Sequence, residues 1–393
     1  MMRTLRKILT FFCAVCLFAL GCSPAAQAEA AGPAAAPTLK DVRTAIGENL
    51  VAYPQLEGMA DAGLQQAVND DIILRGEIAK HLVSLSTLRE GGWGLVVEYQ
   101  AFLKNDLLSV TFSAKGQMTH GRNGQAYTAL CYDLQTGKPL QAEELFKDVP
   151  AATAKMEEIL EASLAEELSG YMKNSQLTPL PIDNFSLDED GLTFYYPESQ
   201  FSLISDYAGA GQFYYEELAD LLNWEGALGR LGVKPEALTD AQAKEAIGKA
   251  VAEGRLPHVP VAIGEALPGI VDKYRLLREP DQYPAGKYYQ MEAPLFRQVL
   301  ILSDALSGGY DHSVVEGLQS TRANLFGIQA GSTPRERWRE ILGEPEQTAV
   351  FDESLAYDYG IPPGESDFYT FGGYQLRLHA GESGVLHSIR LAK

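Results

Sequence analysis

The side chains best suited to chemistry fall in a few short stretches, and most are arranged wrongly for it. Ser307, Asp311 and His312 gather the groups of a nucleophilic triad within six residues. A triad needs those groups to converge from separate elements, and no Gly-x-Ser-x-Gly elbow surrounds the serine, so a glycine-rich loop is expected here. Ser186, Asp188, Asp190 and Gly191 have the spacing that begins a calcium loop, but its twelfth position is Pro197, where a bidentate glutamate is needed. The histidines His81, His120, His258, His312, His379 and His387 show no pair at metal-ligand spacing and no His-Glu-x-x-His. Gly209, Ala210 and Gly211 lack the third glycine of a dinucleotide fingerprint. No metal, cofactor or catalytic constellation is expected, which points away from an enzyme.

Recognition is better represented. Phe194, Tyr195, Tyr196, Phe201, Tyr207, Phe213, Tyr214 and Tyr215 crowd into 22 residues of a chain that is 9% aromatic. Tyrosine supplies a large contact area with a polar tip, and alternate residues of a strand face opposite ways. Tyr195, Tyr196, Tyr207, Phe213, Tyr214 and Tyr215 are therefore the candidate ligand-binding residues. The competing account places the same rings in a sheet core and its rim.

Compartment is read from the beginning of the sequence. Arg3, Arg6 and Lys7 precede an apolar run over residues 8–20 broken only by Thr10, which is a signal-peptide pattern too short to span a bilayer. Ala19, Leu20, Gly21 and Cys22 resemble the lipobox of bacterial lipoproteins, which makes Cys22 the expected lipidation site. Ala26, Gln27 and Ala28 offer a rival site that would release a soluble secreted protein. Residues 22–38, rich in Ala and Pro, then serve as a flexible tether. Export to the bacterial cell envelope, with membrane attachment by lipid alone, is the expectation.

Charge narrows the partners. Residues 1–21 carry three basic and no acidic groups, and without them the chain has 29 Lys+Arg against 52 Asp+Glu, a formal charge of −23. Such a surface repels nucleic acid and favours encounter with cationic proteins. Cys131 is the only cysteine after Cys22, so the cores must hold without an internal disulfide.

The elements that would carry these groups read as α+β, with antiparallel sheets and packed helices in two domains. The first domain covers residues 39–228. Residues 51–56 are extended, and Leu64, Val68, Ile72, Ala79 and Leu82 predict a helix over 59–85. Alternation predicts a hairpin over 94–113 turning at Lys104, Asn105 and Asp106, and a strand over 126–134. A helix over 151–173 and a second hairpin over 185–196 follow. After a linker at 229–237, Thr239 and Gln242 form a capping box for a helix running to residue 251.

The second domain, 238–393, contains an internal repeat. Val261, Ala262 and Ile263 correspond to Phe326, Gly327 and Ile328 at an offset of 65, and residues 278–282 correspond to 343–347. Each copy places a short helix between an apolar strand and a Pro turn and continues into Tyr-rich strands, with Tyr288 and Tyr289 in one and Tyr357 and Tyr359 in the other. Each closes on an alternating strand, 314–318 and 385–391. Two copies of this size make a pair of half-domains.

Tyr53, Pro54 and Gln55, the run from Tyr132 to Lys138, Glu144 to Phe146, Tyr195 and Tyr196, Tyr207 to Gly209, and Phe213 to Leu218 occur in an order that resembles the extracellular domains of the PdaC and RsiV type. The resemblance covers about residues 42–225. It implies a non-catalytic domain, which in that family accompanies a peptidoglycan deacetylase or binds lysozyme. Residues 238–393 resemble the YjgB-type secreted proteins, and their tandem layout is similar to the beta-lactamase-inhibitor-protein architecture, an analogy of fold that raises the expectation of protein binding.

The expected function is therefore a non-enzymatic envelope lipoprotein binding a protein or cell-wall glycan, with a basic lysozyme-like hydrolase as one partner. The alternatives are a peptidoglycan-acting enzyme or deacetylase accessory, and a protein inhibitor of a hydrolase.

Overall fold

Two large sheets organise the chain, each with apolar alternation on at least one face. The structure is a computed structural model describing residues 36–87, 94–117, 123–164, 179–197, 209–271, 281–284, 286–290, 299–303 and 313–393. The signal segment, Cys22, Tyr207 and the stretch from Ser307 to His312 lie outside the described residues, as does the expected helix beyond residue 164.

The first sheet has the order β1 (Thr38–Ile46), β2 (Asn49–Glu57), β3 (Val96–Lys104), β4 (Leu107–Gln117), β5 (Asn123–Asp133) and β6 (Lys138–Pro139). All neighbours are antiparallel except β2 and β3. A parallel pair needs a crossover, and α1 (Ala62–Arg75) and α2 (Ile78–Thr87) supply it. Their residues Val68, Ile72, Ile78 and Leu85 pack on Val51, Val97, Leu108, Val110 and Phe112.

The helix expected over 59–85 is broken, because Glu77 takes a left-handed φ of 51° after Gly76. A side chain at Gly76 would lie 2.6 Å from the Ile72 carbonyl oxygen and 2.8 Å from the Phe112 ring, so close packing on the sheet requires glycine there. The expected hairpin turn is present, with Asn105 and Asp106 both at positive φ as the tightest hairpin turns demand.

The other face of the first sheet meets a second layer. It comprises α3 (Ala142–Leu145), α4 (Val149–Leu164) and the three-stranded sheet β7 (Phe185–Leu187), β8 (Gly191–Tyr195) and β9 (Ala210–Tyr214), followed by the short helix α5 (Tyr215–Leu218). Leu107 and Cys131 join Met156, Leu160, Phe194, Phe213 and Leu222 in that core.

Beyond residue 233, α6 (Asp240–Ala252) begins with the expected capping box, Thr239 N donating to Gln242 Oε1 at 3.0 Å. The short helix α7 (Leu267–Val271) leads into β10 (Asp281–Tyr283), β11 (Gly286–Gln290), β12 (Val299–Ser303) and β13 (Val315–Ser320). A small ribbon, β14 (Asn324–Leu325) and β15 (Ile328–Gln329), precedes α8 (Arg335–Leu342). Then come β16 (Gln347–Phe351), α9 (Glu353–Asp358), β17 (Gly364–Phe371), β18 (Tyr374–Gly381) and β19 (Leu386–Ala392).

The eight strands form one sheet in the order β10-β11-β12-β13-β19-β18-β17-β16. Each repeat is a four-stranded antiparallel meander, and the two join through their closing strands, Leu318 opposite Leu391. The repeat is visible in matched backbone bonds. Gly264 N donates to Val315 O and Gly331 N to Leu386 O, each at 2.7 Å, and the bridge of Ala266 to Val314 matches that of Pro334 to Val385. The matched glycines are 67 residues apart and the matched closing strands 71, so the offset of 65 at residues 261–263 grows along the second copy. Residues 261–263 are not a strand.

Leu318, Leu376, Leu378, Ile389 and Leu391 pack with Ile247 and Val251 of α6 and Trp338 of α8 on one face of this sheet. Among the described residues, the buried apolar clusters stay either within residues 51–231 or within 243–391.

Candidate functional site

The five candidate aromatic residues of the first half that are described, Tyr195, Tyr196, Phe213, Tyr214 and Tyr215, prove to be core. Tyr196 and Phe213 are fully buried, Tyr214 and Tyr215 are 2% exposed, and Tyr195 is 8% exposed. Tyr195 meets Ser186 Oγ at 3.0 Å through its hydroxyl, and the Tyr215 hydroxyl donates to the Asp188 carbonyl at 2.9 Å. Burial raises both phenols above their ordinary range. The expectation of a contact surface from these rings is corrected: both faces of β8 and β9 are covered, one by the first sheet and one by α4 and its neighbours. The calcium-like spacing is a hairpin turn, with Asp188 Oδ1 accepting from the backbone N–H of Asp190 and of Gly191. Cys131 is buried beneath it, and burial pushes its thiol up to about 12, which makes it unreactive.

The second half carries a different arrangement on the face of its sheet opposite α6 and α8. Alternation sends Leu376 and Leu378 to the helices and Arg377 and His379 to the other side. Arg377 and Arg390 are direct cross-strand partners on β18 and β19. The Arg377 guanidinium lies 4.9 Å from the ring centre of Tyr359 and 5.3 Å from that of Phe351. Arg390 lies 5.1 Å from Tyr359 and 5.8 Å from Tyr288, and donates from Nη1 to the Tyr288 hydroxyl at 2.8 Å.

Tyr283 of β10 and Tyr357 of α9 come from opposite edges of the sheet, yet their rings meet at 6.3 Å. Gly360 holds a left-handed φ of 62°, and a side chain there would lie 2.7 Å from the Tyr283 ring. The sheet therefore curls around this face, and glycine lets its edges close. Tyr357 remains 68% exposed and Val350 69% exposed on the rim.

Ser366 and His379 form a fully buried pair at the base of the same face. His379 Nε2 lies 2.9 Å from the Pro362 carbonyl, which only accepts, so Nε2 carries the proton and Nδ1 accepts from Ser366 Oγ at 2.9 Å. A hydroxyl aimed at a neutral imidazole is the ground state of a nucleophile and its base. Both side chains have no exposure, so no substrate carbonyl reaches the oxygen. The pair instead ties residues 359–363 to β17 and β18. Burial, with further contributions from Arg377 and His387, lowers the His379 pKa to about 4.

None of Arg377, Arg390, Ser366 or Tyr283 was singled out from the sequence. The signal was the alternation of β18 and β19, where an apolar series interleaved with Arg and His reads as an ordinary solvent-facing strand. The Tyr-rich strands of the repeat were the one visible pointer. Among the described residues, no group of His, Cys, Asp and Glu is arranged to hold a metal, and no helix is long and apolar enough to cross a membrane.

No protein-family profile and no curated protein matches the chain. Among solved structures, the chain is similar to a DUF3298 family member from Bacteroides fragilis, with TM-score 0.34 and 15% identity, covering 48% of this chain and 93% of that one. It is similar to a DUF3298 family protein from Pseudomonas aeruginosa, also at TM-score 0.34 and 15% identity, covering 49% and 95%. It is also similar to the DUF4309 family protein YjgB from Bacillus subtilis, at TM-score 0.29 and 13% identity, covering 39% and 99%.

Proposed function

We infer that the protein is a non-enzymatic binding lipoprotein of the cell envelope, anchored through Cys22, which holds a cell-wall component on the curled face of its second half. One observation carries the binding site: that face is lined by aromatic rings and arginines instead of aliphatic packing, and Tyr357, a ring 68% exposed, stands on its rim. Exposed aromatic rims around polar interiors mark recognition surfaces. The apolar run and Cys22 support the anchor, and the tether gives the domains reach from the membrane.

A basic lysozyme-like partner is the less supported reading, because the described rings of the surface that motivated it, Tyr195, Tyr196, Phe213, Tyr214 and Tyr215, are buried.

The test is cosedimentation of the full-length chain with purified murein sacculi, alongside membrane fractionation of Cys22→Ser. Binding that falls at least tenfold in Tyr357→Ala, and release of Cys22→Ser into the soluble fraction, are expected. Sacculi that leave the chain in the supernatant overturn the ligand assignment, and unchanged membrane association of Cys22→Ser overturns the anchor.

A further inference from the structure

Among the described residues, the buried and half-buried arginines of the second half meet carboxylates except in one place. Arg322 meets Glu217 at 3.0 Å with both side chains buried. Arg335 and Arg339 both bind the fully buried Asp367, at 2.6 and 2.8 Å. Arg377, only 3% exposed, has no carboxylate partner among the described residues, and neither has Arg390 beside it. Among the described residues, the one side-chain hydrogen bond of Arg377 is Nη2 to Gln319 Oε1 at 3.2 Å, and its Nε has no partner. Like charges directly opposite on neighbouring strands repel, and an unpaired buried charge is costly. Acid is not scarce in a chain of 52 Asp+Glu, so the lack of a carboxylate here among the described residues leaves a seat of defined charge.

We propose that the Arg377–Arg390 pair binds a carboxylate carried by a peptide. Tyr359 and Phe351 lie against the Arg377 guanidinium, and its buried Nε–H is left without an acceptor, which a ligand carboxylate would supply. A planar carboxylate matches a guanidinium edge with two parallel hydrogen bonds; phosphate can do the same and is therefore the competing probe. The route in is aromatic. Tyr357 on the rim contacts Tyr283, and Tyr283 lies 5.1 Å from Tyr288, whose hydroxyl holds Arg390. A peptide laid along these rings brings its carboxylate to the half-buried Arg390, and Arg377, 3% exposed, is reached when the rings over it move aside.

The inference rests on the curled face being the binding site and adds the chemistry of what enters it. Free peptide carboxylates occur in the stem peptides of a bacterial wall and in acidic protein segments, and the experiment separates the two sources.

The measurement is calorimetric titration of the detergent-extracted full-length chain. The probes are a wall stem peptide with a free terminal carboxylate, the same peptide amidated, an acidic peptide of ordinary L-residues, and inorganic phosphate. Binding of the free stem peptide, weakened at least tenfold by amidation and by Arg390→Gln and partly restored by Arg390→Lys, is expected. Tighter binding of the L-peptide would assign the carboxylate to a protein partner and leave the seat intact.

Equal binding of free and amidated peptides, or phosphate binding as tightly as either, overturns the proposal. If sacculi are bound but amidation has no effect, the carboxylate seat fails while the binding reading stands; if neither sacculi nor peptide binds, both fail. A second variant reads the seat without ligand. Arg377→Met removes an uncompensated charge and is expected to raise the melting temperature while abolishing peptide binding. A lower melting temperature with undiminished binding would show that Arg377 only supports the sheet.

Discussion

Glu217 of α5 and Arg322, which follows β13, are 105 residues apart in sequence and share an ion pair with side chains 1% and 7% exposed. Gln329 donates to the same carboxylate at 2.8 Å, and Arg322 also donates to the Gln212 carbonyl at 3.1 Å. The apolar clusters stop on either side of this contact, so polar groups join the two halves of the chain. Removing one partner of a buried pair typically costs about 3 kcal/mol. Glu217→Gln is therefore expected to separate one calorimetric melting transition into two; a single transition at the wild-type temperature would show that the pair does not couple the halves.

His258 makes the same junction sensitive to pH. Its ring stacks on Tyr214 at 4.0 Å and lies 3.1 Å from Asp190 and 3.3 Å from Glu216. Burial alone would lower its pKa, but the two carboxylates outweigh burial and raise it to about 9. A raised folded pKa stabilises fully below the unfolded value near 6.5, and that contribution is lost as pH rises towards 9. The junction should loosen over that window, read as faster amide exchange in residues 209–218, and His258→Gln should remove the dependence.

His379 responds in the opposite direction. With its folded pKa lowered to about 4, the unfolded chain takes up the proton first as pH falls below about 6.5. Stability is therefore retained above pH 6.5 and lost between 6.5 and 4, by on the order of 3 kcal/mol if burial is complete. Denaturant midpoints at pH 7 and pH 4.5 test this, with His379→Gln expected to flatten the difference.

Asp367 holds the helix side of the same sheet together. Burial would raise its pKa, but bonds from Arg339, Arg335 and Trp338 outweigh that and keep it below the ordinary carboxylate range. Asp367→Asn keeps the shape but leaves two guanidinium groups without their charge partner, and a loss of about 3 kcal/mol is expected. A denaturation curve within 0.5 kcal/mol of wild type would mean that solvent already screens the arginines.

Where structure is decided by neighbours in sequence, the sequence was readable. The turn at Asn105 and Asp106, the capping box of Thr239 with Gln242, and the duplication in the second half all follow from local pattern. The break at Gly76 was not readable, because its cause is the ring of Phe112 on a strand formed later in the chain. The tyrosines of β8 and β9 misled for a related reason: alternation tells that two faces exist, not that a layer covers each. Arg377 was hidden most completely, since a buried arginine and an exposed one look the same until the strand beside it and the loop above it are in place.

The position of β19 has a consequence for how the protein is made. It is synthesised after every other described strand, yet it sits mid-sheet between β13 and β18, the seam joining the two repeats. Until it emerges, the meander ending at β13 and the hairpins of β16 to β18 are separate sheets, each presenting an unpaired edge. Unpaired edges invite pairing with foreign chains. Vectorial synthesis thus leaves the second half open until its last strand arrives, and a chain crossing a membrane unfolded before it folds would escape that exposure during translation.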